Sequence, residues 1–229
     1  MTSKNLLSRS EGEIRRFSEQ LEKAELLINR NYPHVSNKGK GINILAWNNY
    51  IRSSKTEFAT VDEYMTFLTN NQYTLILFDG SLIRIVYYFK RQHIIRHQLG
   101  YYPPPVPIQQ DELSLYLSHG LTVSDLINDK VNSNKFSVYL RLRSPIRFDF
   151  DSDNDSEVHP ASHLHLSQSD CRIAVYAPVS IGLFLCFIFK HFYQEIWEKH
   201  EFFKQWPRVV FPEAMLPANR KHLHVACVK

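Results

Sequence analysis

The stretch YTLILFDGSLIRIVYYF, residues 73–89, restricts the possible folds more than any other part of the chain. Two runs of aliphatic, β-branched and aromatic residues flank Asp79-Gly80, a pair suited to a type I′ hairpin in which both central residues take positive φ. In its second strand Ile83, Ile85 and Tyr87 share one face, and Leu82, Arg84, Val86 and Tyr88 share the other. Arg84 thus stands in a mostly apolar row. It is expected either to point into a cleft or to lie at a sheet edge with its stem packed and its head in water.

Around this hairpin the pattern alternates between helix and strand. The first thirty residues read as a helix, with Ile14, Phe17, Leu21, Leu26 and Leu27 on one face and charges on the other. Pro33 and the run SNKGKG end it, which makes residues 36–41 a candidate hinge. The expected division is an N-terminal helical arm, 1–36, and an α+β domain, 42–229. The arm is either a partner-docking element or a helix packed on the same domain. A second helix is expected over 43–53. A third follows Thr60, where Thr60 and Glu63 have capping-box spacing and Tyr64, Phe67 and Leu68 form a stripe.

HIIRHQLGYYPPPVP reads as a strand stopped by three prolines, followed by a rim loop. A short helix is expected within 111–132. Strand character returns in KFSVYLRLRSPIRFDFD, broken at Pro145, and again in CRIAVYA. A helix from Ser180 to His200 buries Ile181, Phe184, Leu185, Ile188 and Phe192, and the aromatic-rich tail follows. Helices first, hairpins in the middle and a helix after them predict an α+β fold with a largely antiparallel sheet flanked by helices.

Composition narrows the function classes. Apolar residues at 44% and charged residues at 22% are those of an ordinary globular chain, so a folded core is expected. The three cysteines are scattered with no CxxC pair, which argues against a disulfide framework and a thiolate zinc site and for the cytoplasm. MTSKNLLSRSEGEIRR lacks the apolar run of a signal peptide, and IGLFLCFIF is too short to span a bilayer, so no membrane association is expected. A net charge of +4 permits contact with nucleic acid without demanding it. P-loop, GxGxxG, HExxH and GxSxG motifs are missing, which removes the commonest nucleotide, zinc-protease and esterase readings.

The residues that carry chemistry lie in IRFDFDSDNDSEVHPASHLHLS, 146–167. In an extended strand Ile146, Phe148 and Phe150 face the core while Arg147, Asp149 and Asp151 face the other way. The same alternation groups His163, His165 and Ser167 opposite Leu164 and Leu166. Antiparallel pairing of the two segments would bring a guanidinium, carboxylates and imidazoles together. Such a cluster suits phosphodiester cleavage by imidazole acid–base chemistry, a metal held by an HxH pair and a carboxylate, anion recognition without chemistry, or a purely structural polar network. A two-histidine phosphoesterase would need a second Hx(S/T) element beside HLS at His165, and none is convincing. The acidic run Asp151, Asp153, Asp155 and Glu157 lacks the spacing of a calcium loop and reads as a solvated turn. His222 and His224 are expected to be solvated in the tail.

LRSPIRFDFDSD, HPASHLHLSQSDCRI and FLCFIFKHFY resemble a bacterial domain-of-unknown-function family, number 2290 in that series, and the resemblance extends upstream through DGSLIRI and RHQLGYYP. It covers most of the chain beyond the first helices. The family pattern comprises an R-F-D-[FY]-D strand, an H-P-x-S-H-L-T-L-G segment, a C-R-I strand and a helix ending in F-Y. Carried onto this sequence, it singles out His97, Arg147, Asp149, Asp151, His159, Ser162, His163, Cys171 and Arg172. Here His165 and Ser167 replace Thr and Gly, which speaks against an essential role for His165 and against the HxH metal pair. The family brings no activity with it. More faintly, the order of D-G-S hairpin, R-x-D strand and paired histidines is similar to small TumE-like toxins of bacterial toxin–antitoxin pairs.

Together these readings predict a cytoplasmic bacterial protein acting on an RNA or nucleotide phosphodiester, within a toxin–antitoxin or anti-phage defence locus. Arg147 would bind phosphate, His163 would transfer the proton with His159 as its partner, and Asp149 would orient one of them. Arg84, His97, Asp151, Ser162, His165 and Arg172 would contact substrate. No metal or other cofactor is assigned. The alternative is a non-enzymatic subunit that docks a larger effector protein or nucleic acid, with the N-terminal helix as its protein contact.

Overall fold

The hairpin at Asp79-Gly80 forms, and it lies near the middle of a nine-stranded antiparallel sheet. The computed structural model describes residues 6–52, 60–141, 143–168 and 170–227. Among these the strands are β1 (Leu27–Arg30), β2 (Pro33–Asn37), β3 (Ile42–Trp47), β4 (Leu75–Leu77), β5 (Leu82–Lys90), β6 (His93–Tyr102), β7 (Ile146–Asp151), β8 (Ser162–Leu166) and β9 (Ile173–Ala174). The helices are α1 (Leu6–Lys23), α2 (Val61–Thr69), α3 (Gln110–Ser118), α4 (Val123–Val131), α5 (Phe136–Tyr139), α6 (Ile181–Phe192), α7 (Gln194–Lys199) and α8 (Glu201–Gln205). The strand order is β1-β4-β5-β6-β7-β8-β9, with β3 beside the second half of β5 and β2 beside β3. This is the α+β architecture expected from the sequence.

The turn between β4 and β5 differs from the type I′ form. Gly80 alone has positive φ, at 86°, its N–H bonds to Leu77 O at 2.8 Å, and Leu77 N–H bonds to Ser81 O at 2.9 Å. That is a three-residue hairpin loop closed by a glycine bulge, which needs only one left-handed residue. A side chain at Gly80 would also strike Ile108, since an added Cβ would lie 2.3 Å from its Cδ1.

One face of the sheet is covered by α1, α6 and α8. Their Ile14, Phe17, Leu21, Phe184, Leu185, Ile188, Phe189 and Phe203 pack against Ile83, Ile85, Tyr87, Leu99, Phe148 and Leu164 of the strands. Each such side chain contributes about 1.5–3 kcal/mol by leaving water, which explains why short helices hold here. On the opposite face α2, α3 and α4 cover one end through Tyr64, Phe67, Leu113, Leu126 and Ile127, which meet Leu82 and Tyr102. Thr60 caps α2 as expected, accepting from Glu63 N–H at 3.0 Å. The part of this face that those helices leave open carries the site.

Several local expectations are corrected. The N-terminal helix stops at Lys23; Leu26 enters the core from the following turn, where Glu25 has positive φ, and Leu27 begins β1. Residues 43–47, read as helix, belong to β3, and the candidate hinge at 36–41 spans the end of β2 and its tight turn into β3. Long-range pairing with β5 overrides local pattern there. Phe136–Tyr139 is a helical turn, so strand structure starts only at Ile146. The helix after Ser180 breaks at Tyr193, and Phe192 is exposed while Phe189 takes the buried position. Residues 1–5, 53 and 142 of the expected elements lie outside the described residues. Among the described residues no helix is long and apolar enough to cross a membrane.

Candidate functional site

The site is built by register. β7 lies between β6 and β8 with Gly100 opposite Arg147 opposite His165, and Gln98 opposite Asp149 opposite His163. The antiparallel pairing of the R-F-D-F-D and H-L-H segments anticipated from alternation therefore exists. Ile146, Phe148 and Phe150 are buried while Arg147, Asp149 and Asp151 alternate with them at intermediate exposure.

Four side chains form a connected chain. Arg147 Nε–H donates to Asp149 Oδ2 at 2.9 Å, and His165 Nε2 stands 3.4 Å from the same oxygen. His163 Nε2 lies 3.0 Å from His165 Nε2, and its Nδ1 is 2.7 Å from Pro160 O. A carbonyl only accepts, so His163 carries its proton on Nδ1 and, when neutral, presents a lone pair on Nε2. His159, on the β7–β8 loop, packs edge-on against His163 with ring centroids 4.9 Å apart. Its Nδ1 and Asp149 Oδ1 are buried without a hydrogen-bond partner.

These contacts set the charges. Burial raises the Asp149 carboxyl, but the His165 hydrogen bond and the Arg147 charge outweigh it and hold the group at about 2, an anion. Burial pushes the His163 imidazole down to about 4 despite the pull of Asp149, so it is neutral at physiological pH. Burial also works against the charge on Arg147, yet Asp149 and the nearby Tyr102 hydroxyl more than restore it.

The chain of polar groups floors a cleft of about 310 Å³ whose lining includes Arg52, Arg96, Arg147 and Arg172. Arg96 pairs with Asp151. Arg172 approaches Asp170 at 3.7 Å, while its Nε is buried without a hydrogen-bond partner. Tyr50 and Tyr88 belong to the same lining, their hydroxyls 3.3 Å apart. The arrangement offers imidazole nitrogens, a fixed carboxylate and several cations around one small volume. It can bind an oxyanion, move a proton, or ligate a metal through Asp149, His163 and His165, whose ligand atoms lie within 4.8 Å of one another.

Of the residues expected to serve the cleft, Arg147, Asp149, Asp151, His159, His163, His165 and Arg172 do line it. His97 also belongs to the lining, but with its ring turned away, and two others, Ser162 and Arg84, are placed elsewhere. The His97 side chain is on the core face, stacked near Tyr87 and Phe150, with Nε2 accepting from Val179 N–H at 2.9 Å. Ser162 also faces the core, its hydroxyl donating to Ala177 O at 2.9 Å. Arg84 is on the cleft's face of the sheet, but Phe67 covers it at 3.6 Å and its Nε donates to Gln72 O, so it is buried beneath α2. Arg52, Arg96 and Gln98 were not anticipated. Strand parity along HIIRHQLGYY opposes Arg96 and Gln98 to His97, and that signal would have found them once the hairpin register was known.

The model of the family described as "Uncharacterized conserved protein (DUF2290)" matches residues 26–227, the span from the end of the first helix to the C-terminal tail. No curated protein and no solved structure matches the chain. The residues of the R-F-D-F-D strand and the H-P-A-S-H segment that carry the resemblance are the ones assembled around Asp149, and the chain belongs to the DUF2290 family.

Proposed function

We propose that the cleft binds a phosphate-bearing substrate, RNA or a nucleotide, and cleaves its phosphodiester. The observation that carries this reading is the set of four arginines around one cleft together with the imidazoles of His159, His163 and His165, with Arg147 locked by Asp149 beside the His163–His165 pair. Arginines that line a cleft together match the charge and fork geometry of phosphate oxygens. Arg147 is positioned to stabilise negative charge that develops on phosphorus-bound oxygens. The imidazoles of His163 and His165 supply reactive nitrogens, and Asp149 positions His165 and Arg147 rather than His163. A volume of about 310 Å³ suits one nucleotide unit better than a duplex.

The experiment is cleavage of end-labelled RNA and single-stranded DNA by wild type and His163→Ala, each with and without EDTA. Cleavage by wild type that His163→Ala loses supports the reading. A folded wild type that binds RNA without cutting it would leave a recognition subunit, and one that neither binds nor cuts would overturn the reading.

A further inference from the structure

The three polar atoms at the centre of the cleft lie close enough to share one metal ion. His163 Nε2 and His165 Nε2 face each other at 3.0 Å, and Asp149 Oδ2 stands 3.4 Å from His165 Nε2. Three ligands of a tetrahedral zinc-type ion, each roughly 2.0–2.1 Å from the metal, are separated from one another by about 3.3 Å. Two of the three separations bracket that value, and the third, between Asp149 and His163, is within 4.8 Å.

We propose that Asp149, His163 and His165 bind a divalent transition-metal ion, through one carboxylate oxygen and the two Nε2 atoms, with the remaining coordination position open to the cleft. The two-nitrogen, one-oxygen donor set suits zinc, manganese or iron(II), and it excludes calcium, which takes six to eight oxygen ligands. Three protein ligands and an open position are the arrangement of sites that do chemistry rather than of closed structural sites.

Four further features fit a metal. His163 Nδ1 is engaged by Pro160 O at 2.7 Å, the outer contact that fixes which nitrogen of a ligating histidine is free for the metal. Asp149 Oδ1 is buried without a hydrogen-bond partner, so the carboxylate retains unused acceptor capacity. The backbone also holds the set rigidly: Asp149 and His163 are directly opposed across β7 and β8, and His165 is the next residue on the same face. His159, with its own unpartnered Nδ1 beside His163, is a further donor within the site.

The assignment revises the sequence expectation, which gave the chain no metal because His165 departs from the family pattern. In the fold His165 is the residue that touches both other ligands. The inference deepens the phosphodiesterase reading by naming the ion that the site would carry. Its test needs no substrate, so either idea can fail alone.

Full-length protein stripped with a chelator and then freed of it is titrated with ZnCl2 and MnCl2 by calorimetry, and with cobalt(II) as a spectroscopic probe. The expected result is saturation at one ion per chain, a higher melting temperature with the ion bound, and a cobalt spectrum of a nitrogen–oxygen site. His163→Ala and His165→Ala should each weaken binding beyond the roughly 10–100-fold typical of losing an outer partner. The double variant His222→Ala/His224→Ala should bind as wild type does. If the single variants fail to fold, the stoichiometry and cobalt spectrum of the wild type still decide. No saturable binding by folded wild type, binding retained in folded His165→Ala, or binding lost in the tail variant would each overturn the proposal.

Discussion

Asp149 Oδ2 accepts the Nε–H of Arg147 at 2.9 Å, from two positions farther along the same strand. Residues two apart share a face of the sheet, so this ion pair is dictated by β7 and is shielded by the strands on either side. Removing one charge strands the other. Asp149→Asn is expected to cost about 2–4 kcal/mol, less than a wholly buried pair would because both side chains keep some contact with water. The double variant Asp149→Asn/Arg147→Gln should recover part of that loss. Urea denaturation at neutral pH measures both, and a double variant less stable than the single would contradict the pairing.

His97 gives the fold an acid limb. Burial holds its imidazole at about 4 in the folded chain, against an ordinary value of 6.5. The unfolded chain therefore binds more protons between those values, and stability rises with pH across that window and is lost as pH falls through it. The full effect is on the order of 3 kcal/mol. His97→Gln, which retains an acceptor for Val179 N–H, should reduce the dependence between pH 7 and 4.5 and leave the part that His163 contributes. Chemical denaturation midpoints at several pH values would show an unchanged slope if His97 were not the cause.

Gly100 is a contact that no side chain fits. A Cβ there would lie 2.5 Å from Tyr102 Cε2, and that ring is held by Phe67 at 5.1 Å between centroids and is almost wholly buried. Gly100→Ala should cost roughly 1–3 kcal/mol through overpacking. Thermal melting measures the loss, and a variant as stable as wild type would show that the Tyr102 ring can yield.

Phe17 ties the N-terminal helix to the rest of the chain. It meets Phe189, Phe202, Phe203 and Trp206, with the Trp206 ring 4.8 Å away, and it is fully buried. Phe17→Ala is expected to cost about 3–5 kcal/mol, and deletion of residues 1–25 should abolish cooperative unfolding. A truncated chain that still melts sharply near the wild-type temperature would show instead that the arm is separable.

Arg52 and Arg172 line the cleft without belonging to the Asp149 cluster. If each contacts a phosphate, Arg52→Ala and Arg172→Ala should lower the affinity for single-stranded RNA. Each should also reduce the slope of log affinity against log salt by about 0.7. Fluorescence anisotropy across salt concentrations tests this, and an unchanged slope would remove that arginine from the interface.

The parts of this molecule that the sequence disclosed are those in which one strand decides the outcome. Alternation in IRFDFD and HLHL was enough to divide Phe148 from Asp149 and Leu164 from His163, because period two is intrinsic to an extended chain. The sequence could not show which face of β6 joins them. That depends on the register of β5 against β6, which shifts at an irregularity between Tyr88 and Phe89; His97 lies in the cleft lining beside Arg96 and Gln98, but its ring turns to the core. Arg84 misled for a different reason. Its row does reach the site, but α2 lies over it, and a helix arriving from elsewhere leaves no local trace. The helix expected at 43–53 failed because β3 takes its conformation from pairing with β5.

The two-residue beat of β7 and β8 has a further consequence. Sliding either strand by a single residue would drive Asp149 or His163 into the aromatic interior and turn Phe148 or Leu164 out to water. Folding thus proofreads the site. A molecule that has buried its aromatic interior has, by the same act, set the carboxylate and the imidazoles facing one another.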